Sequence, residues 1–140
     1  MAHARATGEI EAPADDLYDL LADFGEVGWM RGVTRVELEG EGAGMQRSIF
    51  AGGDEPVVEE LESLDPRARR VSYTIPHNNP LPVADYHATC TAVDLGGGRS
   101  RLDWEADFTP VGVDEDAAVA RVEAMYGVLI GWVKSALEDG

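Results

Sequence analysis

Cysteine is nearly absent from this 140-residue chain, and Cys90 is the only one. No internal disulfide can form, and nothing in the composition signals an oxidising compartment. Basic residues are also scarce: 11 Lys and Arg stand against 27 Asp and Glu, a formal charge of −16 that argues against nucleic acid or an anionic membrane surface as a partner. The acids are spread along the chain without a block of five like charges, so they read as a solvated surface and name no partner. No apolar run approaches the length of a membrane span, and the N-terminal MAHARATGEIEA lacks the continuous apolar core of a signal peptide. The expectation is a cytoplasmic protein without membrane insertion. His3, His77 and His87 have no metal-ligand spacing with one another or with Cys90, and no GxSxG, Walker loop or helix-opening GxGxxG occurs. Neither a metal nor a cofactor is expected.

What is present is an order of patterns. At 44% hydrophobic, residues 1–140 are enough for one domain with a real core. From Ala4 to Ala12 small or apolar residues alternate strictly with polar ones, which predicts a half-buried strand whose small inner residues suit close approach by another element. Pro13 stands where a first helical residue tolerates a missing N–H. Asp15 and Asp16 favour the positive helix end, and Leu17, Leu20, Leu21 and Phe24 make one apolar face that ends near Gly25. The stretch Gly28 to Gly32 reads as a short second helix or a turn at a cavity edge, with Trp29 either a core plug or a ligand contact. Strand-like runs follow at Val33 to Leu38, Met45 to Ala51, Val57 to Leu64, Arg70 to Ile75, Asp85 to Asp94 and Arg101 to Thr109, separated by Gly-, Pro- and Asp-rich punctuation. Short connections favour antiparallel neighbours.

The last element, Asp114 to Leu137, is a long helix. Asp114 is placed to cap it, and Ala118, Val122, Met125, Leu129, Trp132, Val133 and Ala136 form its apolar stripe. Glu123, Gly127, Gly131 and Lys134 lie opposite; two exterior glycines each cost about 1 kcal/mol relative to alanine, which leaves room for a dimer contact or for simple drift. Monomer and homodimer both remain open.

Strand parity selects the candidate site. Trp104 travels with Leu102, Ala106 and Phe108; Tyr73 with Val71 and Ile75; Tyr86 with Ala88, Cys90 and Ala92. Inward tyrosines need partners for their hydroxyls, either a cavity ligand or a neighbouring carbonyl. Glu59 shares its parity with Val57 and Leu61, and a hairpin centred on Gly53 sets Arg47 opposite it. A buried carboxylate is costly unless paired, so the two form either a structural ion pair or a pair that meets a ligand. The competing face of that strand is Gln46, Ser48 and Phe50. His77 reads as a solvated loop residue near a cavity mouth, and Cys90 as a small buried hydrophobe unless it lines the cavity, where it would be reactive.

The segments APADDLYDLLADF, GAGMQRSIF, EELESLDPRARRVSYTI, LPVADYHATCTAV and GGGRSRLDWEADFTP, followed by the terminal helix, resemble the START-like or SRPBCC superfamily across nearly the whole chain. Within it the likeness is to small bacterial proteins of the polyketide cyclase/dehydrase and lipid-transport type. The resemblance implies an α+β helix-grip fold: a seven-stranded curved antiparallel sheet wrapped around a long C-terminal helix, with one or two short helices after the first strand and a cavity for hydrophobic ligands. Plant abscisic-acid receptors share this layout; by that resemblance a gate falls on Ala51 to Pro56, a latch region on His77 to Pro82, and inward polar positions on Arg47, Glu59 and Tyr86. The chain lacks the receptors' Ser-Gly-Leu-Pro-Ala gate and His-Arg-Leu latch, and Trp29 and Met30 stand where they carry a ligand-binding lysine, so hormone reception is not implied. Nor does it have the inward lysine of norcoclaurine-synthase-like catalysis.

The expected function is binding of a hydrophobic or aromatic small molecule, as carrier or sensor, by Arg47, Glu59, Tyr73, Tyr86, Trp104, Met125 and Leu129. The alternative is a cyclase or dehydratase of the aromatic-polyketide type, with Glu59 as general base and Arg47 or Tyr86 stabilising an enolate. A third reading is a partner-binding or stress-related dimer without a specific ligand.

Overall fold

The computed structural model describes residues 1–138. In chain order the elements are β1 (Ala2–Ile10), α1 (Ala14–Ala22), β2 (Arg35–Glu39), β3 (Gln46–Phe50), β4 (Val57–Asp65), β5 (Arg70–His77), β6 (Val83–Gly96), β7 (Arg99–Pro110) and α2 (Glu115–Glu138). The strands form one seven-stranded sheet in the order β1-β7-β6-β5-β4-β3-β2, every neighbouring pair antiparallel. Strands β2 to β7 therefore make a meander, and β1 returns to the free side of β7. Register shifts in the β4–β5 and β6–β7 ladders add the local bend that curls the sheet around α2. This is the α+β helix-grip architecture, with one helix rather than two after the first strand. Gly28 to Gly32 is a set of turns, held by the Met30 N–H donating to Val27 O at 2.9 Å.

Small residues on β1 let the helix come close. A Cβ on Gly8 would lie 2.6 Å from Ile130 Cγ2, so only glycine fits under that side chain. The outer edge of β1 would otherwise present unpaired backbone groups, and α2 covers it with its own side chains. Glu123 Oε2 accepts the Arg5 N–H at 3.0 Å, Lys134 Nζ donates to Glu9 O at 3.3 Å, and Glu138 Oε2 accepts the Glu11 N–H at 3.0 Å. Glu123 is for this reason half-buried, whereas Lys134 is exposed. The far edge, β2, carries Arg35, Glu37 and Glu39, all exposed, a charge pattern that discourages further strand pairing.

Helix α2 begins as its sequence indicates, with Asp114 Oδ1 accepting the Ala117 N–H at 2.8 Å. Its stripe is rotated from the expected one. The fully buried line is Ala118, Val122, Tyr126, Ile130 and Val133, while Met125, Leu129 and Trp132 are half-buried beside it and Ala136 is exposed. Both lines fit a 3.6-residue period, and the sheet's position chooses between them. In α1, Leu17 and Leu21 are buried and Leu20 is half-buried. Pro13 sits at the N-cap with φ −61° and ψ 148°, one residue before the helical turn that the sequence suggested it would start.

Candidate functional site

A cavity of about 220 Å³ lies between the concave face of the sheet and α2. Strands β3 to β7 supply Arg47, Ile49, Val57, Glu59, Tyr73, Ile75, Tyr86 and Trp104, and α2 supplies Met125, Tyr126, Leu129 and Trp132. Three loops complete it with Met30, Arg31 and Val33, with Ala51, and with Asn79, Pro80 and Leu81. Arg31, Ala51 and Pro80 are exposed, so the cavity opens on the loop side, between the regions corresponding to the expected gate and latch.

Arg47 and Glu59 stand directly opposite in the β3–β4 ladder. Arg47 Nε donates to Glu59 Oε1 at 2.7 Å, Nη2 approaches the same oxygen at 2.6 Å, and Nη1 donates to Phe24 O at 2.8 Å. The guanidinium also lies over the Phe24 ring, 3.8 Å from its centroid. With side chains only 6% and 12% exposed, the pair is desolvated and tied to the segment after α1, which fixes the β3–β4 hairpin against the helix. The opposite face of β3 behaves differently. Gln46 donates to Glu60 Oε1 at 2.9 Å, and Phe50 is buried beneath the Arg35 guanidinium rather than in the core.

Four aromatic side chains form the rest of the buried wall. Trp104 Nε1 donates to the Tyr73 hydroxyl at 3.1 Å, and the Tyr86 and Tyr126 hydroxyls share a hydrogen bond. Trp104 stacks on Tyr126 with centroids 5.4 Å apart, while Tyr73 meets Trp104 edge-on at 6.4 Å and Tyr86 at 6.2 Å. Burial pushes all three tyrosine hydroxyls well above their ordinary pKa, so they remain neutral donors near pH 7. The three hydroxyls bring three hydrogens, of which the Tyr86–Tyr126 bond uses one. Hydrogen-bonding capacity therefore remains next to the cavity.

The structure brings together all seven residues chosen from the sequence: Arg47, Glu59, Tyr73, Tyr86, Trp104, Met125 and Leu129 line the same space. Tyr126 was missed. Its signal was available, because it lies four residues from both Val122 and Ile130 on one helix face. Trp29 is buried against Trp104, with centroids 6.4 Å apart, and borders a smaller void instead, while its neighbour Met30 reaches the cavity. Cys90 borders that smaller void too, and burial raises its thiol pKa well above the usual value, which keeps the sulfur protonated and unreactive. His77 is exposed at the end of β5, away from the cavity lining.

The comparisons with known proteins agree with this geometry. The family described as polyketide cyclase / dehydrase and lipid transport matches residues 1–138, and the chain belongs to it. No curated protein sequence matches the chain. Among solved structures, one from Thermobifida fusca is similar at 30% identity with a TM-score of 0.75, covering 91% of this chain and 84% of that one. The protein XoxI from Bacillus cereus is similar at 24% identity with a TM-score of 0.85, covering 99% of this chain and 97% of the other. The Zhui aromatase/cyclase from Streptomyces sp. R1128 is similar at 21% identity with a TM-score of 0.68, covering 97% and 93%. The last two likenesses show a shared fold. Among the described residues no helix is long and apolar enough to cross a membrane.

Proposed function

We propose that this member of the polyketide cyclase/dehydrase and lipid transport family holds a neutral, largely apolar aromatic molecule in its cavity, as a carrier or sensor, in one domain spanning the chain. The observation that carries the reading is the character of the lining. Apolar side chains and ring faces dominate it, and Glu59, its one carboxylate, has Oε1 taken twice by Arg47. A general base needs a free lone pair aimed at a substrate proton, and this pairing works against that role. Ring faces of Tyr73, Tyr86 and Trp104 would contact a flat ligand, with Met125 and Leu129 closing over it from α2 and the remaining tyrosine O–H groups orienting any oxygen it carries.

A second reading, a cyclase or dehydratase of the aromatic-polyketide type, draws support from the neutral tyrosine donors and the buried cation beside them. There Glu59 Oε2 would remove a proton, and Arg47 or the Tyr86 hydroxyl would stabilise the developing enolate. Glu59→Gln separates the two. A structural pair predicts lower stability, by about 3 kcal/mol, with binding reduced only through that loss. A working base predicts retained binding and turnover lowered roughly 100-fold or more.

Native mass spectrometry of freshly purified protein tests the binding reading, the expected result being a small-molecule adduct that disappears on denaturation. Titration with flat aromatics should change tryptophan emission and raise the melting temperature, since a ligand at 100 times its Kd adds about 2.7 kcal/mol of stability. No adduct, with neither emission nor melting altered across the panel, would remove the basis for a binding role.

A further inference from the structure

The β5–β6 connection contains a hydrogen-bonding group that the fold leaves unused. Asn78 takes up φ 61°, a left-handed conformation that asparagine tolerates, and its Nδ2 donates to Pro56 O at 2.8 Å, tying this turn to the start of β4. The next residue, Asn79, lines the cavity, and its Oδ1 accepts the Leu81 N–H at 2.9 Å. That bond settles the orientation of the amide, because a flipped Asn79 would set two donors against each other. Among the described residues, Asn79 Nδ2 is the one buried side-chain polar atom without a hydrogen-bond partner. A buried, unsatisfied donor is destabilising, and such a group calls for a partner that the protein itself does not supply.

We infer that Asn79 is a specificity-determining residue whose Nδ2 donates to a carbonyl oxygen of the cavity ligand. The inference rests on the binding reading above and adds the class of molecule: an apolar, ring-containing ketone or quinone with its oxygen turned toward the β5–β6 turn. Of the other polar groups of the cavity, Arg47 is engaged by Glu59 and Phe24 O and Trp104 by Tyr73, which leaves the tyrosine hydroxyls as the competing donors and Arg31 exposed at the mouth. The donor is a neutral amide in a largely apolar lining, where a neutral carbonyl is cheaper to desolvate than an anion.

The matched probes are 1-tetralone and tetralin, which share a ring skeleton and differ in the carbonyl. Affinities are measured by tryptophan quenching for the wild type, Asn79→Leu and Asn79→Asp. Aspartate keeps an acceptor for the Leu81 N–H, so the turn survives in that variant even if leucine disturbs it; melting temperature reports on folding. The ketone-to-hydrocarbon affinity ratio should fall about 10-fold in both variants. The carbonyl stretch of bound 1-tetralone should be lowered in frequency in the wild type and return toward its unbonded value in the variants. An unchanged ratio, or a lowered stretch that survives Asn79→Asp and disappears in Tyr126→Phe, overturns the assignment and moves the donor to the tyrosines. Failure of both probes to bind the wild type is a different result, which sinks the binding reading and this inference with it.

Discussion

The two sides of the cavity follow opposite rules. On the buried wall, Arg47, Glu59, Tyr73, Tyr86, Trp104 and Tyr126 come from six elements, and each polar group has a partner within the set or on a neighbouring backbone. On the loop side, Arg31 makes no ion pair among the described residues, and Asn79 holds a donor with no acceptor. Strand pleat and helix face leave little freedom on the wall, and an unpaired group there would carry the full penalty of desolvation. Loop residues near solvent are under weaker constraint and can keep capacity in reserve. Stability thus resides in the wall, whereas the unengaged groups lie on the loop side.

The largest expected effect tests the wall as a unit. The hydroxyls of Tyr73, Tyr86 and Tyr126 are raised by burial above the ordinary tyrosine value near 10. Below pH 10 both folded and unfolded chains keep these protons, so the contribution is fully present. Above it the unfolded chain releases protons that the folded chain retains, and stability falls by about 1.4 kcal/mol per pH unit for each tyrosine. Denaturant titrations between pH 8 and about 11.5 should show this decline, with tyrosinate absorbance from the three appearing together with unfolding. Smooth ionisation of all tyrosines near pH 10 in a folded protein would contradict the closed wall.

Removing one partner of the ion pair comes next. Arg47→Ala leaves Glu59 and the Phe24 carbonyl without their donor and should destabilise by about 3–5 kcal/mol in denaturant unfolding. Replacing both residues, as Arg47→Met with Glu59→Leu, should recover most of that loss if the pair is structural. A smaller change, Tyr126→Phe, strips the Tyr86 hydroxyl of its partner and should lower stability by about 1–3 kcal/mol with the stacking on Trp104 retained. At the bottom of the scale lies the loop side. Arg31→Ala should leave unfolding within about 0.5 kcal/mol of the wild type, since the residue is exposed and makes no ion pair among those described. A large loss there would erase the distinction between the two sides.

Much of the wall was legible in the sequence because a strand has a period of two. Once Leu102, Ala106 and Phe108 are taken as interior, Trp104 must be as well, and a hairpin centred on Gly53 makes the Arg47–Glu59 pairing a matter of counting. The helix was harder to read. Val122, Tyr126 and Ile130 satisfy its period as well as Val122, Met125 and Leu129 do, so Tyr126 escaped notice although it completes the hydroxyl pair. Glu123 was assigned to solvent because no local pattern says that an edge strand at the other end of the chain will need an acceptor for the Arg5 N–H. Asn79 looked like ordinary turn chemistry in PHNNPLP, and turn residues announce backbone geometry without saying what lies across from them.

The sequence by itself determined the elements, the faces of the strands and the family, because alternation, helical period and turn residues are local properties that each segment expresses alone. Tertiary structure decided what those faces meet: which line of α2 packs on β1 and which fronts the cavity, how Arg47 reaches Phe24 O, and that one amide of the β5–β6 turn goes unanswered. The division has a physical origin. Periodicity specifies a direction relative to the element's own axis, whereas partnership and cavity depend on distances between elements, which are settled only when the sheet curls and the helix docks against it.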